Sequence, residues 1–172
     1  MDKTTVDNAI ARMCQRIDAT LAQPHEGFPH YGSPEDGTWV RSPGGDWTGG
    51  FWVGQLWLAA LHTGQARYLE GARRWSALLA PRVSSNSVFK GFLFWYGAQL
   101  GATLLADKEA QVLASAGTRS LVDMYNARAR LIPLGLEAEE ASSVGTHEAN
   151  IDALPGTAAL LLSHEPTLNS SE

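Results

Sequence analysis

Residues 51–63 of this 172-residue chain read FWVGQLWLAALHT, a segment that is apolar on nearly every side. Such a segment predicts a helix that is buried all round, and the Gly64 that follows is a typical helix end. In the next segment, apolar residues recur at helical spacing: Tyr68, Leu69, Ala72, Trp75 and Leu79. Because charged residues separate them, we predict an amphipathic outer helix that ends before Pro81.

The same pairing of an inner and an outer helix returns further along the chain. Residues 90–106 are again apolar nearly all round, and Asp107 is a typical N-cap for an outer helix over 108–131. Phe51 and Phe92 stand at the starts of the two inner helices, each after a glycine, at an offset of 41 residues. This offset predicts an internal repeat of helical hairpins.

Two more helices complete the predicted architecture. Apolar residues at a spacing of three to four predict a surface helix over 6–22, and a last helix is expected over 153–163. We find no alternating strand pattern with a hairpin signal, so strands are expected to be minor at most. The predicted fold class is therefore all-α, a curved double layer in which the loops collect at the starts of the inner helices.

Two long loops interrupt the helices. Residues 23–50 are rich in glycine and proline, which no helix could accommodate, and residues 133–150 carry the acidic run Glu137, Glu139 and Glu140. Long loops in a compact domain usually carry function. The acidic run is most simply explained as a solvated loop.

Composition and motifs exclude several classes of function. Thirteen Lys and Arg against eighteen Asp and Glu leave a net charge of −5. The chain therefore lacks the excess of positive charge that binding to nucleic acid or to an anionic membrane requires. The single cysteine, Cys14, and the absence of a leader-like apolar run predict a cytoplasmic protein. No zinc-ligand spacing and no phosphate-binding loop is present, so we expect neither a metal nor another cofactor.

Three blocks of sequence resemble one enzyme family. They are DWTGGFW at 46–52, GFLFWY at 91–96 and NIDAL at 150–154. In order and spacing they are similar to segments of the unsaturated glucuronyl hydrolases, glycoside hydrolase family 88, and of the related unsaturated rhamnogalacturonyl hydrolases. The resemblance implies an (α/α)6 barrel. It also implies removal of a terminal unsaturated uronic acid from oligosaccharides by hydration of a vinyl ether, without metal or organic cofactor.

Four residues are candidates for the site, and the resemblance assigns roles to two of them, Asp152 and Trp47. Asp152 matches the aspartate that protonates the double bond and then, as a base, directs water to it; the alternative is that Asp152 is the N-cap of the helix that contains Pro155. Trp47 matches a tryptophan that stacks on the sugar, and Trp52 is expected beside it at the rim of the cavity. Asp46 is expected either to orient this loop or to cap the helix that begins near Thr48.

Two departures from the family pattern bear on activity. The family usually carries His-Asp-x-Gly-Phe at the second inner helix, where this chain has Val88-Phe89-Lys90-Gly91-Phe92. The second carboxylate is thus absent at Phe89, unless Asn86 or an acid from 137–140 takes its place. Glycoside hydrolysis usually needs a pair of carboxylates. The alternative function is therefore a catalytically reduced or truncated toroid that binds a saccharide or a protein partner.

Length is the second departure. About six helices are expected, against roughly twelve in a complete barrel of this kind, so the resemblance covers the N-terminal half only, built from about three helical hairpins. We expect one helical domain over residues 1–163 and a disordered tail over 164–172. Half a ring leaves apolar ends open, and we therefore expect a homodimer or a partner chain that completes the barrel. An oligosaccharide is the expected ligand.

Overall fold

The structure, a computed structural model, describes residues 2–24, 26–139, 141 and 145–164. It contains the helices α1 (Lys3–Leu21), α2 (Gly49–Thr63), α3 (Ala66–Ala77), α4 (Lys90–Phe94), α5 (Leu100–Leu105), α6 (Lys108–Val122) and α7 (Leu154–Leu162). A two-stranded antiparallel sheet consists of β1 (Phe28–Gly32) and β2 (Trp39–Ser42). A short 3₁₀ turn spans Ala80–Ser84, and a π-helical turn, Trp95–Gln99, joins α4 to α5.

The helices form two curved layers, as the alternation of apolar and amphipathic segments predicts. The inner layer is α2, then α4 with α5, then α7, and each of these packs against the next. The outer layer is α1, α3 and α6, packed on the backs of the inner helices. The largest fully buried side chains include Trp57 on α2, Trp75 on α3 and Phe94 on α4. The predicted all-α toroidal architecture is confirmed.

Two glycines at equivalent positions of the repeat set the spacing of the inner layer. A Cβ atom on Gly50 would collide with the backbone of α4 at Phe92 and Leu93. A Cβ atom on Gly91 would collide in the same way with Thr157 of α7. Because only glycine permits these approaches, the Gly-Phe pair that marks the repeat is the contact point between neighbouring inner helices.

The sequence predicts a long loop over residues 23–50, but part of this segment is a β-hairpin. The strands β1 and β2 form a hairpin whose register is irregular between Pro29 and Tyr31. The side chain of Arg41 ties β2 back to the start of the hairpin by donating to the Gly27 carbonyl oxygen at 3.1 Å. Prolines and the irregular register hide the alternation that normally reveals a strand.

The outer helix after Asp107 begins as predicted and ends early. Asp107 is the N-cap of α6, and its carboxylate accepts a hydrogen bond of 2.9 Å from the Ala110 N–H. The helix ends at Val122, so the predicted extent to 131 is wrong. Beyond it, the Asn126 side chain accepts from the Ala129 N–H, and Arg130 has a left-handed φ of 57°. These local conformations compete with the helix.

The C-terminal segment is described only in part. His164 is buried, and its ring nitrogens lie 3.2 Å from the hydroxyl oxygens of Ser115 and Thr118 on α6. Residues 165–172 lie outside the described residues, so the domain over 1–163 and the disordered tail over 164–172 stay predictions. Among the helices that the structure describes, none has the length and apolar character needed to cross a membrane.

Candidate functional site

The starts of the three inner helices lie side by side at one edge of the layer, which we call the rim: residues 46–48, 86–89 and 150–153. The close approaches of Gly50 to Phe92 and of Gly91 to Thr157 bring these starts together. The side chains predicted for a site at Trp47, Asp46 and Asp152 all lie on this rim. The internal repeat therefore gathers residues that are about 100 positions apart in the sequence.

Trp47 lies at the edge of a group of aromatic side chains. We call Trp47, Phe51, Phe92 and Tyr96 the aromatic cluster. The ring centres of Trp47 and Phe51 are 6.2 Å apart, and those of Phe51 and Tyr96 are 4.5 Å apart. Phe92 lies 5.5 Å from Phe51 and is buried, whereas the other three rings are half-buried. Half-buried aromatic faces of this kind bind the apolar faces of sugars.

Phe51, Phe92 and Tyr96 are additional residues of the candidate site that no motif identified. Their spacing could have revealed them, because Trp47 and Phe51 are four residues apart, as are Phe92 and Tyr96. Residues four apart lie on one face of a helix. Phe51 and Phe92 occupy equivalent positions of the repeat, 41 residues apart, so the packing of the inner helices brings the two pairs together.

His30 of the hairpin contacts the residues on both sides of Trp47. Its Nδ1 atom lies 2.7 Å from the Thr48 hydroxyl oxygen, and its Nε2 atom lies 3.9 Å from a carboxylate oxygen of Asp46. The His30 and Trp47 rings meet edge to face at 6.3 Å. These contacts depend on the hairpin, because His30 lies on β1.

Asp46 lies in the loop before α2 and does not cap that helix. The N-cap of α2 is Thr48, and no side chain caps the helix by a hydrogen bond. Asp46 itself has φ of 40°, in the left-handed region that few residues other than glycine adopt. Backbone strain of this kind is concentrated at functional sites. The loop interpretation of Asp46 thus fits the structure, and the cap interpretation is wrong.

Trp52 lies behind the aromatic cluster. Its side chain is buried and meets Trp75 of α3 edge to face, with ring centres 6.1 Å apart. Because the ring packs between α2 and α3, Trp52 is a core residue in this structure. Its predicted contact with substrate would be confined to the part of the ring that lines a groove beside α1.

Asp152 is exposed at the start of α7. The N-cap of α7 is Ala153, and no side chain caps the helix by a hydrogen bond. In the turn before it, the Asn150 side-chain oxygen accepts hydrogen bonds from the N–H groups of Asp152 at 2.7 Å and Ala153 at 3.2 Å. The Asp152 carboxylate makes no hydrogen bond or ion pair with the residues that the structure describes. The alternative that Asp152 caps the helix is therefore wrong, and its carboxylate is available at the rim.

The absence of a second carboxylate at Phe89 is clear in the structure. Phe89 is buried, and its ring stacks on Phe92 with centres 6.0 Å apart. Of the acids named as replacements, Glu137 accepts a 2.5 Å hydrogen bond from the Asn86 N–H, beside the start of α4. Glu139 instead forms an ion pair of 2.9 Å with Arg82. Glu140 lies outside the described residues.

Lys90 is the buried charge next to this part of the rim. Its amino group donates to the Ser120 hydroxyl and carbonyl oxygens on α6. Burial lowers the pKa of Lys90, and the nearby Asp123 and Glu137 carboxylates oppose that change. Lys90 therefore joins the start of α4 to the outer layer. Among the described residues, no group of three or more His, Cys, Asp and Glu is arranged to hold a metal ion.

Comparisons with known proteins find similarity at the level of structure. No protein-family model matches the chain, and no curated protein does. An unsaturated glucuronyl hydrolase from Bacillus sp. GL1, described as responsible for the degradation of glycosaminoglycan, matches with a TM-score of 0.79 at 27% identity. A variant abbreviated UGL, described together with dGlcA-Glc-Rha-Glc, matches with a TM-score of 0.80 at 28% identity.

A third match shows the fold alone. The unsaturated glucuronyl hydrolase from Streptococcus agalactiae has a TM-score of 0.80 at 19% identity. The three matches cover 92%, 92% and 97% of this chain, and the chain spans 42% of the length of each of them. The predicted resemblance to unsaturated glucuronyl hydrolases is therefore confirmed as a similarity of fold. It extends over nearly the whole of this chain and over less than half of each matched chain.

Proposed function

We propose that the rim binds the terminal unsaturated uronic acid of an oligosaccharide, and that the chain contributes to its removal by hydration of the C4=C5 double bond. The observation that carries this proposal is the position of Trp47. Its half-buried indole lies at the edge of the aromatic cluster, on the same rim as the exposed Asp152. A sugar stacked on this ring would lie near the starts of the inner helices.

Asp152 is the residue that we propose for proton transfer. In the acid form its carboxyl group donates a proton to C4, and the electron pair of the double bond forms the new C–H bond. As a carboxylate it then takes a proton from the water that attacks C5. The C5 hemiketal opens to a ketone, and the hemiacetal left at C1 releases the remaining saccharide. One water molecule is consumed, and Asp152 ends in its starting state.

The exposure of Asp152 makes this role depend on the substrate. A carboxyl group holds a proton near neutral pH only where its charged form is disfavoured, as in a dry or apolar environment. In the described residues Asp152 is open to water. We propose that the bound sugar, seated on Trp47, covers the carboxyl group and excludes that water.

The test is the loss of ultraviolet absorbance when an unsaturated disaccharide is hydrated. We expect loss with the wild type and a decrease in rate of at least about 100-fold in Asp152→Asn, since general acid–base groups typically contribute that much. Asp7→Asn is the matched control, because Asp7 is an exposed aspartate of α1 that pairs with Lys3. No loss in the wild type, or equal rates in the wild type and Asp152→Asn, would contradict the proposal.

The second candidate is a saccharide-binding toroid without activity. The stacking of Phe89 on Phe92 favours it, because this ring fills the position of a carboxylate that glycosidases of this type usually need. In that case the unsaturated disaccharide would quench tryptophan fluorescence while its double bond stayed intact. Trp47→Ala should abolish the quenching, and Trp47→Phe should retain part of it.

We also propose that a second copy of the chain covers the two ends of the inner layer. One end exposes Met13, Leu58 and Leu61, and the other exposes Ile151, Leu154 and Leu162. Large exposed apolar surfaces of this kind usually mark an interface. Light scattering at micromolar concentration should give the mass of a dimer, and Leu58→Lys should shift it toward the monomer. A folded wild-type monomer would overturn this proposal.

A further inference from the structure

A groove runs between α1, the hairpin and the first turns of α2, and Trp47 is among its lining residues. Its volume is about 490 Å³, within the range of about 300–1,000 Å³ that is usual for small-molecule sites. Six of its lining side chains combine flat rings with polar groups: Arg16, Thr20, His30, Trp39, Trp47 and Gln55. We call this the hairpin groove.

Three indole rings line the hairpin groove: Trp52 is buried, and the other two are held in place by contacts within the protein. The Trp39 Nε1–H donates a 3.1 Å hydrogen bond to the Thr20 hydroxyl oxygen, which in turn donates to the Arg16 carbonyl oxygen at 3.0 Å. Trp47 is held against His30 and Phe51. The rings of Trp39 and Trp47 are both half-buried, so each keeps an open surface.

Two of the polar side chains that line the hairpin groove point to a ligand-binding role. Arg16 and Gln55 are exposed, and neither side chain makes a hydrogen bond or an ion pair with the part of the chain that the structure describes. By contrast, Arg41 and Arg67 on neighbouring surfaces are occupied, Arg41 by Gln23 and Arg67 by Asp18. A free guanidinium beside open indole faces is suited to a sugar that carries a negative charge.

We infer that the hairpin groove binds the saccharide unit next to the terminal uronic acid, and that this unit is anionic, with a carboxylate or sulfate that pairs with Arg16. The inference rests on the proposed function for the identity of the terminal unit. Trp47 belongs to both the aromatic cluster and the groove, so it joins the two positions. Trp39 supplies the stacking surface for the second unit, and Gln55 supplies hydrogen bonds to its hydroxyl groups.

The test compares ligands that differ only in the second unit. Three unsaturated disaccharides are titrated into the Asp152→Asn protein by calorimetry: one with a neutral second sugar, one with a sulfated sugar and one with a uronic acid. We expect the sulfated and the uronic acid disaccharides to bind about tenfold more tightly than the neutral one, because each can form a charge-assisted hydrogen bond. This advantage should decline between 50 and 500 mM salt.

Variants identify the residue responsible. Arg16→Gln should remove the advantage of the charged ligands and leave the neutral one within twofold. Arg12→Gln is the matched control, since Arg12 is an exposed arginine one turn away on α1 and outside the groove. Trp39→Ala should weaken all three ligands about tenfold, and Trp39→Phe should weaken them less.

The outcomes separate this inference from the proposed function. If the wild type hydrates the double bond and Arg16→Gln binds all three ligands as Arg12→Gln does, the groove inference is wrong and the proposed function remains. If the charged ligands bind through Arg16 and Trp39 while the wild type leaves the double bond intact, the inference holds and the hydrolytic proposal is wrong. Preference for the sulfated or the uronic ligand identifies the source of the charge.

Discussion

The Nδ1 atom of His30 lies 2.7 Å from the hydroxyl oxygen of Thr48, so one hydrogen bond joins the hairpin to the residue that precedes α2. The two residues are far apart in local structure, one on β1 and the other an N-cap. Between them stands Trp47, whose ring contacts His30. The hairpin therefore fixes the orientation of the indole that the rim and the hairpin groove share.

Loss of this hydrogen bond should destabilise the fold. We expect Thr48→Val to lower the free energy of unfolding by about 1 kcal/mol, because a partner of a half-buried hydrogen bond is removed. Thr48→Ser keeps the hydroxyl and should stay near the wild type. Guanidinium unfolding, followed by tryptophan fluorescence, measures both variants. Equal losses in the two would contradict the role of the hydroxyl group.

The approach of α4 to α7 depends on Gly91. We expect Gly91→Ala to lower the free energy of unfolding by about 2–3 kcal/mol, because the added methyl group meets the backbone of Thr157. Gly32→Ala is the control, since a Cβ atom at Gly32 meets nothing within 4 Å. Thermal unfolding of both variants checks this. Similar melting temperatures for them would show that the inner helices can separate without cost.

Ala106 ends α5 in a conformation that glycine adopts more readily. Its φ is 52°, in the left-handed region, and its side chain is exposed. We expect Ala106→Gly to raise the free energy of unfolding by roughly 0.5–1 kcal/mol. The reverse change at the end of α2, Gly64→Ala, should lower it by about 1 kcal/mol, since Gly64 has φ of 67°. Chemical denaturation at pH 7 measures the two opposite effects.

Asp107 should make stability depend on pH in the acid range. Burial alone would raise the pKa of Asp107, but hydrogen bonds from the Ala110 N–H and from Arg73 outweigh it and hold the pKa below 3.8. A carboxyl group whose pKa is lower in the folded than in the unfolded state stabilises the fold at pH values above its unfolded pKa. This stabilisation is lost as the pH falls through its folded pKa. We expect Asp107→Ala to cost about 1–2 kcal/mol at pH 7.

The same variant gives the pH test. The difference between wild type and Asp107→Ala should be constant from pH 7 to about 5 and should shrink below pH 3.8. Urea unfolding at a series of pH values measures it. A difference that is unchanged at pH 3 would mean that the cap, rather than the charge of Asp107, provides the whole effect.

The inner and outer helices could be predicted because burial imposes periodicity on them. The segment around Trp57 is apolar on all sides and lies in the core, and Asp107 caps α6 as its sequence context indicates. The end of α6 could not be predicted, because apolar residues continue after Val122 while the left-handed conformation of Arg130 leaves no periodic signal. The hairpin was missed since its register is irregular at Pro29.

The site could be predicted only where a motif carried it. Trp47 and Asp152 lie on the rim, as the resemblance implies, because each directly precedes an inner helix. His30 and Trp39 could not be assigned, since their positions depend on how the hairpin folds onto α1 and α2. The exposure of Asp152 also could not be predicted, because apolar sequence neighbours such as Ile151 point to solvent themselves.

The π-helical turn at Trp95–Gln99 makes spacing as important as residue type in the second inner helix. Such a turn holds one residue more than the α-helical turn it replaces. Deleting one residue there would rotate every later side chain of α5 by about 100° about the helix axis. Gly101 would then leave the Trp57 ring that it contacts, and the Gly97 carbonyl oxygen would no longer meet the Trp57 indole N–H. The extra residue of the π-helical turn thus sets the rotation of the α5 side chains about the helix axis relative to those of α4.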